Sequence, residues 1–178
     1  MRLFEAHATT RQPTPMLDEA ESVAIDERET VTDWAKYYRE QFHLPADDRG
    51  GYAMLSVTNR IGIVHAPEPL AARVQELLRR QGSHVPLLAR PTRLTFIAAV
   101  DYSPGNQVLE LLARIGVCIP AVGSALMIPT SLGRWTRENA FWVDPPKRDC
   151  LLPLLSTVLT TALAAAPDRS AHRTERTP

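Results

Sequence analysis

Few side chains in this 178-residue chain stand at the spacings that chemistry needs. Two-metal phosphoryl transfer uses carboxylates converging on one side of a strand, commonly two acids separated by one residue. Asp47 and Asp48 are adjacent and would point apart, Asp101 has Ser103 where its partner should be, and Asp144 stands alone before Pro145–Pro146. His65 and His84 have no second His, Cys or acid at ligand spacing, so each reads as a surface or hydrogen-bonded structural histidine. Gly123–Ser124 runs into Ala125–Leu126, which is not the nucleophile-bearing G-x-S-x-G turn. Neither glycine-rich phosphate loop, G-x-G-x-x-G or G-x-x-x-x-G-K-[ST], occurs. Cys118 and Cys150 flank apolar runs without metal-type spacing, and Cys118 has no basic neighbour in sequence to activate it. Both are expected to be buried free thiols of a reducing compartment. No catalytic residue, metal site or cofactor is assigned.

What remains is a basic and aromatic set. Arg134, Trp135, Arg137, Phe141 and Trp142 fall close together, and Arg79, Arg80, Arg90 and Arg93 flank residues 81–89. Guanidinium groups with an indole can hold phosphates and stack a base. The candidate nucleic-acid contacts are Arg79, Arg80, Arg134, Trp135 and Arg137. The competing reading gives Phe141 and Trp142 to the core and leaves the arginines to solvate loops and cover apolar edges.

The elements that must position these residues can be read in order. Residues 1–30 lack an apolar period and are expected to be a disordered acidic leader. Residues 31–50 form a prelude: a helix over 33–42 capped by Thr32, then a loop, PADDRGG, from Pro45 to Gly51. A single domain spans 51–166, followed by a polar tail, 167–178. Within it YAMLSV and IGIVHA suggest a hairpin turning at Thr58–Arg60. A helix then follows Pro67 and Pro69, with Leu70, Val74, Leu77 and Leu78 in one stripe and Gly82 as its stop. Short strands are expected at 85–89, 94–100, 125–128 and 141–143, with an edge strand or bulge at 117–122. A second helix carries Val108, Leu111, Leu112 and Ile115 inward, and a last one runs from about Leu151 to Ala164.

Residues 74–89 (VQELLRRQGSHVPLLA) and 108–123 (VLELLARIGVCIPAVG) align without gaps as a worn internal repeat of helix, glycine and apolar run. The second copy, with Ala113 where the first has Arg79, reads as the more buried. The fold class is α+β: repeated ββα units forming a mostly antiparallel sheet with helices packed on it.

The formal charge of zero hides an asymmetry. Residues 17–33 hold seven acids against Arg28, while residues 60–148 hold ten arginines and one lysine against six acids. The leader either stays solvated or lies on the basic body and screens it until a partner competes. The apolar stretch 151–166 is too short to span a bilayer and carries Pro153 and four hydroxyl residues. No signal sequence opens the chain, so a cytoplasmic protein without membrane attachment is expected.

The runs GYAMLSV, IGIVHAPEPLAARV, VPLLARPTRLTFIAAV, SALMIPTSLGRW and FWVDPP resemble the N-terminal domain of bifunctional DNA primase/polymerase proteins. More closely, they resemble short bacterial relatives of that domain from GC-rich genomes. Ile128–Pro129–Thr130–Ser131 and Trp142 carry the family's proline-rich strand end and tryptophan-bearing strand. The resemblance implies an acid-x-acid pair on a core strand, but the strand in question reads IGIVHAP and has no acid. The family's phosphate-side histidine also lacks a counterpart, since His84 has no serine two residues before it. The resemblance therefore implies a degenerate, non-catalytic module that binds single-stranded nucleic acid or a nucleotide in a regulatory role. The alternative is a protein–protein interaction or homo-oligomerisation module with no nucleic-acid role, using edge-like strands to pair with a partner or a second copy.

Overall fold

The computed structural model describes residues 30–131 and 140–167. Helix α1, Val31–Phe42, is capped by Thr30 rather than Thr32. Thr30 Oγ1 accepts from the Asp33 amide at 3.1 Å, and the Asp33 carboxylate accepts the Thr30 amide at 3.2 Å. This reciprocal capping box satisfies two otherwise orphaned donors. Thr32, inside the first turn, instead donates its hydroxyl to Asp48 Oδ2 at 2.9 Å. The expected loop at 45–51 is strand β1, Ala46–Arg49, joined to β2, Tyr52–Ser56, by a two-residue turn. Gly50 (φ 64°) and Gly51 (φ 81°) both take the positive φ that the tight hairpin turn requires. The charges of Asp47, Asp48 and Arg49 concealed β1 in the sequence; on an edge strand they discourage pairing with other chains.

The remaining elements are β3 (Ile61–Ala66), α2 (Glu68–Arg80), β4 (Leu87–Arg90), β5 (Arg93–Ala99), α3 (Asn106–Arg114), β6 (Ala125–Met127), β7 (Phe141–Asp144) and α4 (Leu155–Ala165). They build two antiparallel sheets, β1-β2-β6 and β3-β5-β4-β7, so the class is α+β. Tandem ββα units are not formed. The turn after β2 exists, with Thr58 N–H bonded to the Ile61 carbonyl at 2.9 Å, yet β2 and β3 go to different sheets. Their burial explains the split. β2 alternates and has one face to bury, whereas β3 is buried along nearly its whole length and needs cover on both faces. β6 and β7 part in the same way, leaving β4–β5 as the hairpin of the four-stranded sheet.

That sheet is the middle layer. Ile61, Ile63, Leu88, Ile97 and Trp142 pack on α1 and the smaller sheet. Val64, Ala66, Leu87, Phe96 and Ala98 pack on α2, α3 and α4. One polar stitch crosses the first interface: Tyr38 Oη donates to the Pro129 carbonyl and accepts from Trp142 Nε1, both at 2.8 Å.

The repeat survives as a shared helix stop. Ser83 N–H bonds to the Leu78 carbonyl at 3.0 Å and Val117 N–H to the Leu112 carbonyl at 2.9 Å, around Gly82 (φ 75°) and Gly116 (φ 77°). Beyond the glycine the copies diverge. The first enters β4 in the sheet interior, and the second touches β3 at a single bridge, Cys118–His65. The burial order is the reverse of that expected. α2 buries Leu70, Ala71, Val74 and Leu78, while α3, at the periphery against α4, buries Leu112 and exposes Leu109 and Leu111. Both cysteines are free and exposed, not buried, because Val117 takes the inward position beside Cys118 and Cys150 lies in the turn before α4. α4 begins at Leu155, so Leu151 is 94% exposed rather than part of its inward stripe.

Candidate anion-binding face

Strand register places four polar side chains on one face at one end of the middle sheet. Successive side chains alternate between faces, so His65 shares the face of Ile63, Thr95 and Arg93 that of Ile97, and Arg90 that of Leu88. Across the strands His65 pairs with Thr95, and Thr95 with Leu88. The next row outward pairs Arg93 with Arg90. A row that is apolar at Leu88 thus becomes polar at Thr95 and His65, with two arginines at its rim.

Each member is held differently. Thr95 is fully buried, and its hydroxyl lies 2.9 Å from His65 Nδ1. Burial, then the neighbouring Arg90 and Arg93, push the His65 pKa below the ordinary histidine value, which favours the neutral ring. Arg93 reaches across the end of β3 to donate to the Gly116 carbonyl at 2.7 Å. Arg90 and Arg93 are exposed, and neither pairs with a carboxylate among the described residues. Gly116, whose carbonyl Arg93 reaches, has a positive φ, and Pro67 Cγ lies 2.9 Å from where its Cβ would be, so a larger residue is disfavoured there.

Two of the arginines proposed from sequence lie at the opposite end. Arg79 and Arg80 occupy the last turn of α2, which runs back along the sheet from Pro67. Both close on Glu76, Arg79 at 2.7 Å and Arg80 at 2.9 Å. The hydrogen bond from Arg80, then the charge of Arg79, lower the Glu76 pKa. Arg79 also borders a small cleft of about 190 Å³ with His84 and Lys147. There His84 bonds the Pro145 carbonyl at 3.0 Å and stands 3.5 Å from Asp144, so this cleft carries acid as well as base. Arg134, Trp135 and Arg137 lie outside the described residues. Trp142 is buried in the core at 3% exposure and cannot stack a ligand.

No carboxylate stands where the primase/polymerase resemblance would place its pair. On β3 the residues one apart that face the arginines are Ile63 and His65. Asp47 turns to Arg39 and Arg49, and Asp48 to Thr32 and the Gly51 amide. Asp101 is engaged by the Ser156 hydroxyl and amide at the start of α4, and these bonds lower its pKa. Among the described residues no group of three or more His, Cys, Asp or Glu is placed to hold a metal, and no helix is long and apolar enough to cross a membrane.

The largest cleft described, about 460 Å³, opens at the end away from Arg90 and Arg93. Val57, Val100, Leu155 and Ile119 line it, with Tyr102 and Asn59 at its polar edge. It contains no charged side chain. Comparison of the chain with protein-family models, with curated proteins and with solved structures finds no match. The primase/polymerase resemblance therefore rests on the quoted residues alone.

Proposed function

We propose that this protein is a non-catalytic binding module for a phosphate-bearing ligand, single-stranded nucleic acid or a nucleotide, taken at the Arg90–Arg93 face. One observation carries the reading: two exposed guanidinium groups share a sheet face with a half-buried histidine whose pKa is lowered, and among the described residues no carboxylate pairs with them. Like charges directly opposite across strands destabilise a sheet, and an anionic ligand would relieve that repulsion by supplying the opposite charge. His65, half-buried and hydrogen-bonded to the fully buried Thr95 hydroxyl, lies one row inward of the guanidinium rim. A fluorescence-anisotropy titration with a labelled single-stranded oligonucleotide at low salt tests this. Binding that weakens in Arg90→Ala/Arg93→Ala is expected; no binding at high micromolar protein would overturn it.

A second reading, self-association, has its own observation. α3 exposes Leu109 and Leu111 and carries Glu110 and Arg114 one turn apart without pairing them. A second copy laid antiparallel along α3 would set each Glu110 against the other's Arg114. Light scattering across a concentration series decides it, and a strict monomer would remove it.

A further inference from the structure

Cys118 extends the polar row of the middle sheet by one residue. It meets His65 in an antiparallel bridge: His65 N–H bonds the Cys118 carbonyl at 2.9 Å, and Cys118 N–H bonds the His65 carbonyl at 3.0 Å. Residues opposed in this way carry their side chains on the same face, with Cα atoms about 5.5 Å apart. Burial agrees. Val117, one residue earlier, is buried with Val64 and Ala66 on the side of α2 and α4, whereas Cys118 turns the other way and is exposed. Thr95, His65 and Cys118 are therefore consecutive across the sheet and its edge. The next row outward is basic. Arg93 pairs with Arg90 and reaches across the end of β3 to the Gly116 carbonyl, two residues from Cys118. Cys118 has no basic neighbour in sequence, yet the fold sets it beside His65 and brings a guanidinium to its own segment. An exposed thiol beside cations is the setting that favours thiolate chemistry. The other free thiol, Cys150, has no such place. It lies in the turn before α4, close in sequence to Leu154, which bridges Ala99 at the end of β5 away from Arg93.

We infer that Cys118 is a modification site on this face, forming a mixed disulfide with a small carboxylate-bearing thiol whose carboxylates lie against Arg90 and Arg93. The inference rests on reading the Arg90–Arg93 face as an anion site. The co-reactant is a low-molecular-weight disulfide of the glutathione type. The Cys118 thiol gives its proton to solvent, and the thiolate attacks one sulfur of that disulfide. A new S–S bond to Cys118 forms, the reagent's own S–S bond breaks, and the departing thiolate takes up a proton. Cys118 is oxidised and half of the reagent is reduced to free thiol, so the step needs no other oxidant. Carboxylate and phosphate oxygens present the same acceptor geometry to a guanidinium fork. The attached group thus occupies the cations that a phosphate-bearing ligand would use, and reduction frees them.

Two measurements on the full-length chain test this. The first compares glutathione disulfide with the neutral hydroxyethyl disulfide, reading modification rates at Cys118 and Cys150 by peptide mass spectrometry. At low salt, Arg90→Ala/Arg93→Ala should lower the ratio of the anionic to the neutral rate at Cys118 about tenfold, because fixed charge raises encounter rates to that extent. The ratio at Cys150 should not move, Arg90→Lys/Arg93→Lys should keep the natural ratio, and high salt should erase the difference. An equal ratio at Cys118 in the natural chain and the Ala variant would overturn the inference. An unchanged rate with the neutral reagent shows that the variant still presents Cys118 as the natural chain does. The second measurement is affinity for a labelled dT oligonucleotide, expected to weaken about tenfold in the glutathione-modified chain and to recover with dithiothreitol. In Cys118→Ser, glutathione disulfide should leave that affinity unchanged. Charge selectivity at Cys118 without oligonucleotide binding by the unmodified chain supports the modification site and sinks the proposed function. Oligonucleotide binding that depends on Arg90 and Arg93, with no charge selectivity at Cys118, does the reverse.

Discussion

Replacing Arg90 and Arg93 together by Ala removes two sheet-end cations that pair with no carboxylate among the described residues. The change should read out first in salt dependence. Each arginine that neutralises a phosphate of a single strand releases about 0.7 of a counterion, so losing both should lower the slope of log K against log salt by about 1.4. Between 50 and 200 mM salt the natural chain should therefore lose about sevenfold more affinity than the variant. The loss at low salt is bounded separately. Both side chains are exposed and screened, so each contributes no more than about 1 kcal/mol, or about thirtyfold in Kd for the pair. Anisotropy titrations at four salt concentrations give both quantities. Thermal unfolding of the variant verifies that the fold is intact; relief of the like-charge pair and loss of the Arg93 bond to the Gly116 carbonyl oppose each other, so stability should change by no more than about 1 kcal/mol. The companion variant Arg79→Ala/Arg80→Ala should keep the natural slope, because those residues close on Glu76 at the other end. A slope unchanged in the Arg90/Arg93 variant, or lowered equally in both, would refute the assignment of the face.

Protonating His65 adds positive charge to the face, so affinity for the oligonucleotide should rise as pH falls through the lowered pKa of His65, and His65→Gln should abolish the rise. Stability should move the other way: a histidine whose folded pKa is depressed contributes stability above its unfolded value of about 6.5, lost as pH falls through the folded value, as acid titration of the urea midpoint would show. Tyr38→Phe strands the buried Trp142 Nε1–H and the Pro129 carbonyl together, and should cost about 3 kcal/mol by urea unfolding; a cost under about 1 kcal/mol would contradict the stitch. At the shared helix stops, Gly82→Ala should cost about 1 kcal/mol for its positive φ alone, and Gly116→Ala more, since its Cβ also meets Pro67; equal losses would contradict the packing described.

The fold was legible wherever a segment's own pattern decides its state. The stripe Leu70, Val74, Leu78 and the stops at Gly82 and Gly116 are local facts, and both helices end where those residues put them. Pairing is not local. YAMLSV–TNR–IGIVHA has the form of a hairpin and makes the turn, but the burial demands of β2 and β3 differ and draw them into separate sheets. β1 was hidden for the opposite reason: its charges carry no apolar period, and only Gly50–Gly51 announced the turn. The burial of the two repeat copies was misread because equal amphipathicity does not say which helix the sheet will cover. α2 is tied to β3 and β4 at both ends, whereas α3 leads only to a segment bridged once to the sheet's edge.

The site was obscured by grouping arginines along the chain instead of across strands. Arg79 and Arg80 stand out in sequence because they are adjacent, yet their position explains them without a ligand. They sit in the last turn of a helix, where cations complement the macrodipole, and each has Glu76 one turn away. Arg90 and Arg93 look like ordinary turn residues around Pro91–Thr92. Period two along β5 puts Arg93 and Thr95 on one face, but that His65, 30 residues from Thr95, lies beside them follows only from the pairing of β3 with β5. Once that pairing is known, the informative cation is the one without local employment. Arg93 is in part employed by the Gly116 carbonyl at the stop of α3, but Arg90 is exposed and answered by no carboxylate among the described residues, and it is this cation that the proposed function would pair with an anion from outside the folded core.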